Sequence, residues 1–238
     1  MIEVKQLAGT FDQSILRPDS ISTEEIEKTC AIAIKHGFRS IVVHPCNVKL
    51  VKNLLNRSSV LTVSVCDFPH GKGLTKSRVK DVKEILREGA DEIDIVANYQ
   101  YLLDQDIRNF KKDIKAIVKA MEGKTLKIIL EVDMLNERLI RTATQIICKV
   151  ADEESDRNVK LIIKTKTGFA ENKVSNMDAV RVIKKTLEEL GKYGEDKIQI
   201  KASGGVRTKE EATNLLSAGA HILGVGKGLE LLGIGNLT

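Results

Sequence analysis

Two stretches decide the fold of this chain, Leu126-Lys127-Ile128-Ile129-Leu130 and Leu161-Ile162-Ile163. Both are almost continuously apolar and rich in isoleucine, which is typical of parallel strands that are buried on both faces. An amphipathic segment separates them and is long enough to form a helical crossover. A strand, a helix and a second strand of this kind form the repeating unit of an α/β protein.

The same alternation runs through the rest of the chain, starting from a weak first strand near the N-terminus. The predicted strands are Phe11–Ile15, Ser40–His44, Val60–Cys66, Glu92–Val96, Leu126–Val132, Lys160–Lys164, Lys197–Lys201 and His221–Val225. Parallel strands in this number, joined by helices, predict a (β/α)8 TIM barrel with a short N-terminal helical extension. An open doubly wound α/β sheet fits the same alternation, and only the count of eight strands disfavours it.

Two of the predicted helices carry capping residues at their N-termini. Ser22 and Glu25 have the spacing of a capping box, in which each side chain bonds the backbone N–H of the other residue. Thr208 and Glu211 repeat this spacing ahead of the last predicted strand. Gly219 follows the second of these helices and suits the left-handed conformation that ends many helices. These signals place helices between the predicted strands, as a barrel requires.

Length and composition indicate one domain over residues 1–238. The chain has 238 residues, 42% of them hydrophobic, which is the size at which one closed α/β barrel buries a complete core. It contains only three prolines, and no tract of Pro, Ser or Gly could serve as a linker. Residues 1–10 mix charged and apolar residues and lack the apolar run of a signal peptide. We therefore expect a cytoplasmic protein.

The cysteines and histidines give little support for a metal site. Cys30, Cys46, Cys66 and Cys148 are scattered through apolar stretches without C-x-x-C spacing, so we expect reduced core residues. The four histidines form no i,i+4 pair and have no accompanying carboxylates in a ligand pattern. The sequence therefore predicts no metal.

The charge balance favours a small anionic partner. The net charge of +5 arises from 38 basic residues that are interleaved with 33 acidic ones, and tryptophan is absent. A nucleic-acid-binding surface needs a clustered basic patch and aromatic side chains for stacking. We therefore expect a small-molecule substrate, with neither nucleic acid nor membrane as a partner.

Ionisable side chains occur where the predicted strands end, which is the catalytic end of such a barrel. Asp94 interrupts the apolar fourth strand, where it would be either a core residue satisfied by hydrogen bonds or a catalytic group. Lys164 and Lys201 end strands six and seven, and neighbouring parallel strands would bring the two amines together. Like charge and burial lower the pKa of an amine, and a neutral lysine attacks carbonyl carbons. A purely structural alternative pairs these lysines with Asp94, Glu131 or Asp133.

Glycine-rich loops follow the last two predicted strands. Gly204 and Gly205 come after strand seven, whereas Gly226 and Gly228 come after strand eight. Barrels commonly hold phosphate on these two loops, where glycines let the backbone amides approach an anion. One such loop is weak evidence because glycine also serves tight turns, but two in the right order favour a phosphate site.

Three motifs resemble the deoxyribose-phosphate aldolase family, and the resemblance extends from about Asp12 to Gly228. The stretch Asp67-Phe68-Pro69-His70-Gly71 is similar to the family segment N/G-F-P-x-G. Gly89-Ala90-Asp91-Glu92-Ile93-Asp94 resembles G-A-D-E-[IV]-D, and Lys201-Ala202-Ser203-Gly204-Gly205-Val206-Arg207-Thr208 resembles K-[AP]-[SA]-G-G-[IV]-R-T. The family's Schiff-base lysine, second lysine and acid/base aspartate fall on Lys164, Lys201 and Asp94.

This resemblance implies a lyase of carbohydrate catabolism. The expected reaction is the reversible cleavage of 2-deoxyribose 5-phosphate into acetaldehyde and glyceraldehyde 3-phosphate, without a metal or an organic cofactor. The resemblance also suggests a homodimer or homotetramer. The residues expected to contact the substrate or its phosphate are Thr167, Gly168, Gly204, Gly205, Gly226 and Lys227.

The chain departs from the family pattern in several places. Lys166 replaces a serine and could share the face of Lys164 if strand six continues that far, adding a third cation. Val132 replaces a hydroxyl residue, and the following Asp133 adds a carboxylate that could offset Lys166. Gly226 and Lys227 replace two serines, and a C-terminal tyrosine found in some members is missing.

These departures leave two alternatives open at the level of sequence. One is a lysine aldolase that acts on a different phosphorylated sugar, since only pocket contacts would differ. The other is a barrel that binds a sugar phosphate without catalysis, which would have no need for two lysines and an aspartate at one mouth. His44 and Cys46, after strand two, are further candidates for substrate contact.

Overall fold

A computed structural model describes residues 3–17, 19, 21–171 and 173–234 of the chain. Its strands form a closed barrel in which each strand pairs in parallel with its chain neighbours, and the last strand pairs with the first. The strands are β1 Phe11–Ile15, β2 Ser40–Val43, β3 Leu61–Cys66, β4 Glu92–Val96, β5 Thr125–Ile129, β6 Leu161–Lys164, β7 Gln199–Ser203 and β8 Ile222–Val225. The predicted (β/α)8 barrel is confirmed.

Helices connect the strands and cover the outside of the barrel. They are α1 Val4–Ala8, α2 Thr23–His36, α3 Val48–Leu54, α4 Thr75–Arg87, α5 Gln100–Leu103, α6 Ile107–Ala120, α7 Glu137–Glu153, α8 Asn176–Glu189, α9 Lys209–Ala218 and α10 Gly228–Leu231. Short 3-10 turns occupy Pro45–Asn47, Val132–Met134 and Ser155–Arg157. Helix α1 is the N-terminal extension that the sequence predicted.

Two strands, β5 and β7, have boundaries that differ from the prediction by more than one residue. β5 ends at Ile129 rather than at Val132, because Glu131 has a φ of 54° and a 3-10 turn begins directly after it. Positive φ breaks the extended conformation of a strand. β7 begins at Gln199 rather than at Lys197, because the backbone N–H of Lys197 bonds the carbonyl of Gly194 in a turn. β7 ends at Ser203, so Lys201 lies within the strand and does not end it as predicted.

The two predicted capping boxes have different outcomes. At α9 the box is complete, since Thr208 and Glu211 each accept a hydrogen bond from the backbone N–H of the other residue. At α2 the Ser22 hydroxyl accepts from Glu25 N at 3.1 Å, but the Glu25 carboxylate receives two hydrogen bonds from Arg17. The prediction of a reciprocal box at α2 is therefore wrong, because the guanidinium binds the carboxylate in a bidentate way.

The barrel interior is apolar on one side and charged on the other. Residues at paired positions of neighbouring parallel strands lie on the same face of the sheet. Val65 pairs with Asp94 across β3 and β4, and it packs in a small apolar cluster with Val42, Val63 and Leu16. The larger apolar core lies in the shell of strands and helices around this interior. The charged side of the interior, from β4 to β7, holds the candidate site.

The cysteines do not all lie in the core. Cys30, Cys66 and Cys148 are buried, as expected, but Cys46 is exposed. The prediction for Cys46 is wrong because the residue lies in the 3-10 turn after β2 and not in the strand. In the described ranges, no three His, Cys, Asp or Glu side chains are grouped so that they could hold a metal ion. None of the helices described there is both long and apolar enough to cross a membrane.

Candidate active site

Asp94 lies at the centre of the charged side of the barrel. Its carboxylate is fully buried on β4. Oδ2 accepts a hydrogen bond from Lys164 Nζ at 2.8 Å and another from Lys201 Nζ at 2.8 Å. Oδ1 accepts a third bond from Lys127 Nζ at 2.8 Å. The structure therefore brings together the three residues predicted to be catalytic, and adds a third lysine.

The strand register explains why these side chains meet. Lys164 of β6 pairs directly with Lys201 of β7, and Asp94 of β4 pairs directly with Lys127 of β5. Paired residues of parallel strands share a face, so each pair projects to the same side of the sheet. Closure of the barrel then places the lysine pair of β6 and β7 against the carboxylate of β4.

A second layer of charged residues continues the network and was missed by the sequence reasoning. Asp12 of β1 accepts from Lys201 Nζ at 2.6 Å and lies 3.4 Å from Lys127 Nζ. Lys127 Nζ also lies 2.6 Å from Glu92 Oε2. Lys127 is a charged residue within an apolar strand, which is the same signal that identified Asp94 and could have found Lys127. Asp12 lies among the polar residues of β1 and carries no such signal.

Arg39 closes the network at the start of β2. Its guanidinium donates to Asp12 at 2.9 Å and to Glu92 at 2.6 Å and 2.8 Å. The Ser40 hydroxyl adds a hydrogen bond of 2.6 Å to Asp12. The three carboxylates of this network, Asp12, Glu92 and Asp94, thus each face at least two cations, which holds all three ionised. The pKa values of Asp12 and Glu92 are accordingly below their usual range, because these cations outweigh the opposing effect of burial.

The pKa of Lys164 is lowered to about 8. Burial is the largest cause, since it disfavours the charged amine. The negative charge of Asp94 opposes burial and raises the pKa, whereas the positive charge of Lys201 lowers it. For Asp94 itself, burial raises the pKa, but Lys127, Lys164 and Lys201 together hold it far below its usual range. The site therefore combines an anionic carboxylate with an amine that loses its proton easily.

This electrostatic balance prepares Lys164 to act as a nucleophile. With a pKa of about 8, about a tenth of the amine is neutral at pH 7. For an ordinary lysine the neutral fraction at that pH is only on the order of one part in 3000. A neutral amine can attack a carbonyl carbon and form an imine.

Aromatic rings line one side of the amine. The Lys164 Nζ lies 5.9 Å from the centre of the Phe68 ring. Phe169 meets Phe68 edge to face with the ring centres 5.2 Å apart, and the His44 ring lies 6.5 Å from Phe68. Phe68 belongs to a motif noted in the sequence, but neither phenylalanine was predicted as a site residue. The apolar rings offer the amine no hydration, which disfavours its charged form, whereas the face of the Phe68 ring attracts that form.

The loops after β6 and β7 adjoin at two of the predicted glycines. Gly168 and Gly204 both have a φ of 86°, and Gly205 has a φ of 76°. A Cβ atom on Gly168 would lie only 3.3 Å from Gly204 Cα, so the backbones are in close contact. Asn176 joins the loops further by donating to the carbonyls of Ser203 and Gly204. Gly204 and Gly205 line a cleft of about 420 Å³.

The structure places Thr167 against Glu131. The Thr167 hydroxyl and backbone N–H both bond Glu131 Oε2. Glu131 is buried, and burial raises the pKa of its carboxyl group. The Thr167 hydroxyl also accepts from Phe169 N at 3.1 Å. The predicted substrate contact at Thr167 is therefore part of a turn that Glu131 holds in place.

The loop after β8 is held by a glutamine from β1. Gln13 Nε2 donates to the carbonyl of Gly226 at 2.7 Å, and Gln13 Oε1 accepts from Gly228 N at 2.9 Å. The expectation that the Gly228 amide is free for an anion is wrong, since Gln13 already occupies it. The Lys227 side chain is 75% exposed and forms an ion pair with Glu230 at 3.1 Å.

Lys166 does not share the face of Lys164. β6 ends at Lys164, and the Lys166 side chain turns away to reach Asp133 Oδ1 at 2.9 Å. It also donates to the carbonyl of Val174 at 2.9 Å. The pairing of Lys166 with Asp133 is confirmed. The expected crowding of the barrel mouth by a third cation is wrong at this position, and Lys127 is the third lysine at Asp94 instead.

Fold and site together define the class of this protein, a barrel lyase of the lysine-dependent aldolase type. The profile of the DeoC/LacD family aldolase matches residues 7–235. The chain belongs to this family.

Two curated relatives match this chain over nearly its full length. Deoxyribose-phosphate aldolase of Finegoldia magna is 34% identical over 227 residues, which cover 95% of this chain and 99% of the relative. Deoxyribose-phosphate aldolase 1 of Bacillus licheniformis is 34% identical over 229 residues, which cover 96% of this chain and 95% of the relative. The family match at residues 7–235 spans every strand of the barrel.

Solved structures give the same result for the fold. An aldolase designated QR15 superposes with a TM-score of 0.83 at 30% identity, covering 98% of this chain and 96% of its own. A tetrameric deoxyribose phosphate aldolase from Aeropyrum pernix has a TM-score of 0.80 at 24% identity, covering 97% of this chain and 91% of its own. The second similarity is evidence for the fold alone.

Proposed function

We propose that this chain catalyses the reversible cleavage of 2-deoxy-D-ribose 5-phosphate into acetaldehyde and D-glyceraldehyde 3-phosphate. The single observation that carries the proposal is the sharing of one Asp94 oxygen by Lys164 and Lys201, each at 2.8 Å. This geometry places an easily deprotonated amine beside a carboxylate and a second ammonium group. The names of the relatives at 34% identity support the choice of substrate.

The reaction begins with attack of neutral Lys164 Nζ on the aldehyde carbon of the open-chain sugar. Loss of water from the carbinolamine gives an iminium ion, which draws electrons from the neighbouring carbon–carbon bond. The bond between C2 and C3 breaks as the C3 hydroxyl loses its proton, which releases glyceraldehyde 3-phosphate. The remaining enamine gains a proton at C2, and water then hydrolyses the imine to acetaldehyde and free Lys164.

Asp94 and Lys201 would move the protons in these steps. While all three lysines are charged, the pKa of Asp94 is held so low that the carboxylate is a weak base. Loss of the Lys164 charge in the neutral carbinolamine removes one of these cations, which makes Asp94 a better proton acceptor. Lys201 Nζ lies against the same oxygen and donates to Asp12 as well, which fixes its position. In this proposal Asp94 works through a water molecule, and the charge of Lys201 helps to keep Lys164 neutral.

The substrate's phosphate would lie at the loops after β7 and β8. Gly204 and Gly205 have the left-handed backbone that turns amides toward an anion, and both line the cleft of about 420 Å³ together with Lys166. In this proposal Thr167 and Gly168 contact the sugar from the adjoining loop, and Gly226 and Lys227 approach the phosphate from β8. The working unit would be a homodimer or a homotetramer, which light scattering of the purified protein can measure.

Borohydride trapping tests the proposed function. We expect that acetaldehyde and sodium borohydride inactivate the protein and leave an ethyl group on Lys164, identified by mass spectrometry of peptides. Lys164→Ala should abolish both the adduct and the turnover, because no other group supplies the imine nitrogen. Lys185→Met, on the exposed face of α8, is the matched control, since it removes a lysine that lies outside the site. Labelling of Lys166, or turnover by Lys164→Ala, would overturn the assignment.

A further inference from the structure

A second buried ion pair lies just beyond the active-site lysine. Lys166 is only 1% exposed and Asp133 only 6% exposed. The Lys166 Nζ lies 2.9 Å from each of the two carboxylate oxygens of Asp133. Charges in the protein interior need partners, because the loss of hydration is costly. The pair is therefore a specific feature of this site and not a solvated surface contact.

The pair fastens both ends of the segment after β6. Asp133 Oδ1 accepts from the backbone N–H groups of Lys173 at 2.9 Å and of Val174 at 2.8 Å. Lys166 Nζ donates to the carbonyl of Val174 at 2.9 Å. Lys166 at one end of this segment and Lys173 and Val174 at the other are thus tied to Asp133, which lies in the 3-10 turn after β5.

The stem of Lys166 also supports the loop after β7. A Cβ atom on Gly204 would lie 2.9 Å from Lys166 Cγ and Cδ, and 3.1 Å from Gly168 Cα. The backbone of Gly204 therefore rests directly on the methylene groups of Lys166. Asn176, two residues after Val174, also donates to the Gly204 carbonyl. A shift of Lys166 would release Gly204.

We propose that Lys166 and Asp133 form a positioning pair that holds Gly204 and the turn at Gly168 in place for the phosphorylated end of the substrate. The inference rests on the proposed function, since it takes Gly204 as a phosphate contact. The pair acts through other residues, because the Lys166 ammonium already donates to Asp133 and Val174. It makes the preference for a phosphorylated substrate depend on two residues that depart from the family pattern.

Three variants test this pair. Lys166→Met keeps the unbranched stem beneath Gly204 and removes the charge. Asp133→Asn keeps one oxygen as an acceptor for the amides of Lys173 and Val174. The double variant removes both charges and leaves neither partner buried alone. Lys185→Met, on the exposed face of α8, is the control for loss of one lysine from the same region.

The substrate preference is the first measurement. Each single variant should raise KM for 2-deoxyribose 5-phosphate about tenfold, because small displacements of binding groups have effects of this size or larger. KM for unphosphorylated 2-deoxyribose and the trapping of acetaldehyde on Lys164 should stay within about twofold of the wild type. The KM of the double variant for 2-deoxyribose 5-phosphate should not exceed that of the poorer single variant, since the two residues act as a unit. Equal effects on both substrates, or multiplied effects in the double variant, would overturn the proposal.

Hydrogen–deuterium exchange is the second measurement and does not depend on activity. In both single variants and in the double variant, amides in residues 166–174 and at Gly204 should exchange faster than in the wild type, while β2 and β3 stay protected. Lys185→Met should match the wild type. Unchanged exchange in all three variants would overturn the role of the pair. If the wild type fails to cleave the substrate while exchange responds as expected, the proposed function fails and the positioning role stands.

Discussion

Lys164 and Lys201 donate to the same oxygen of Asp94, each across 2.8 Å. The two ammonium groups therefore compete for one negative charge. Burial further disfavours the charged form of Lys164, and its pKa falls to about 8. The structural and the catalytic interpretations of these lysines are thus compatible. The ion pairs hold the amines in place, and Lys164 still has a pKa low enough for it to lose its proton.

The pH dependence of imine formation should respond to Lys201→Leu. The reacting amine must be neutral, so the acid limb of the rate profile follows the pKa of Lys164, near 8 in the wild type. Loss of the Lys201 charge removes one cause of the lowered pKa of Lys164. Asp94 Oδ2 then accepts from Lys164 and no longer from Lys201. We expect the limb to move to higher pH, measured as the rate of borohydride trapping against pH. A limb that stays in place or moves down contradicts the like-charge explanation.

Asp94→Asn should move the same limb in the opposite direction. The Asp94 charge raises the pKa of Lys164, so its removal lets burial and the neighbouring lysines lower that pKa further. Turnover should fall because the proton shuttle is lost, while the imine still forms slowly. Steady-state kinetics and trapping on the same preparation measure the two effects separately. Full turnover by this variant would show that Asp94 moves no proton in the reaction.

Lys127→Met should strongly destabilise the fold. Lys127 is fully buried and lies within 2.8 Å of Asp94 and within 2.6 Å of Glu92. Removing one partner of a buried charge network leaves uncompensated charge and typically costs about 3–5 kcal/mol. Urea unfolding of the variant beside wild type and Lys185→Met measures the change. If the free energy of unfolding falls no further in Lys127→Met than in Lys185→Met, Arg39 and Lys201 suffice to neutralise the carboxylates.

Glu131→Gln should become relatively more stable than the wild type as pH rises. Burial raises the pKa of Glu131 above its ordinary value of 4.5, so the folded chain keeps this proton longer than the unfolded chain. The protonated Glu131 carboxyl group therefore stabilises the fold at low pH, and this stabilisation is lost as the pH rises from 4.5 through the raised pKa. Glutamine does not ionise and keeps an oxygen for Thr167. Urea unfolding at pH 5 and pH 8 compares the two proteins, and a constant difference would refute the raised pKa.

Lys227→Ala should weaken binding of the phosphorylated substrate by about tenfold, or about 1.4 kcal/mol. The side chain is 75% exposed and free to turn from Glu230 toward an anion bound at the loop after β8. Unphosphorylated 2-deoxyribose should be cleaved at an almost unchanged rate. Glu230→Gln is the matched control, because it frees Lys227 from its ion pair. This variant should bind the phosphorylated substrate at least as well as the wild type does. If both substrates or neither substrate respond to Lys227→Ala, this lysine is not a phosphate ligand.

Local patterns in the sequence were sufficient for the barrel and for part of the site. Burial on both faces of parallel strands produces apolar runs, and β4 and β6 could be located from them. A charge inside such a run needs a partner, which identified Asp94 before any partner was known. The boundary of β5 could not be predicted in this way, because no local pattern marks the positive φ of Glu131, whose side chain bonds Thr167 on another loop.

The sequence by itself predicted eight strands, their order along the chain and the strands that carry Asp94, Lys164 and Lys201. The tertiary structure decided the charge pairs that the sequence did not predict. Asp12 meets Lys201 although 189 residues separate them along the chain, and Lys127 rather than Lys166 is the third lysine at Asp94. The physical reason is that strand periodicity fixes the face on which a side chain lies, whereas barrel closure and loop conformation fix the distances between charges.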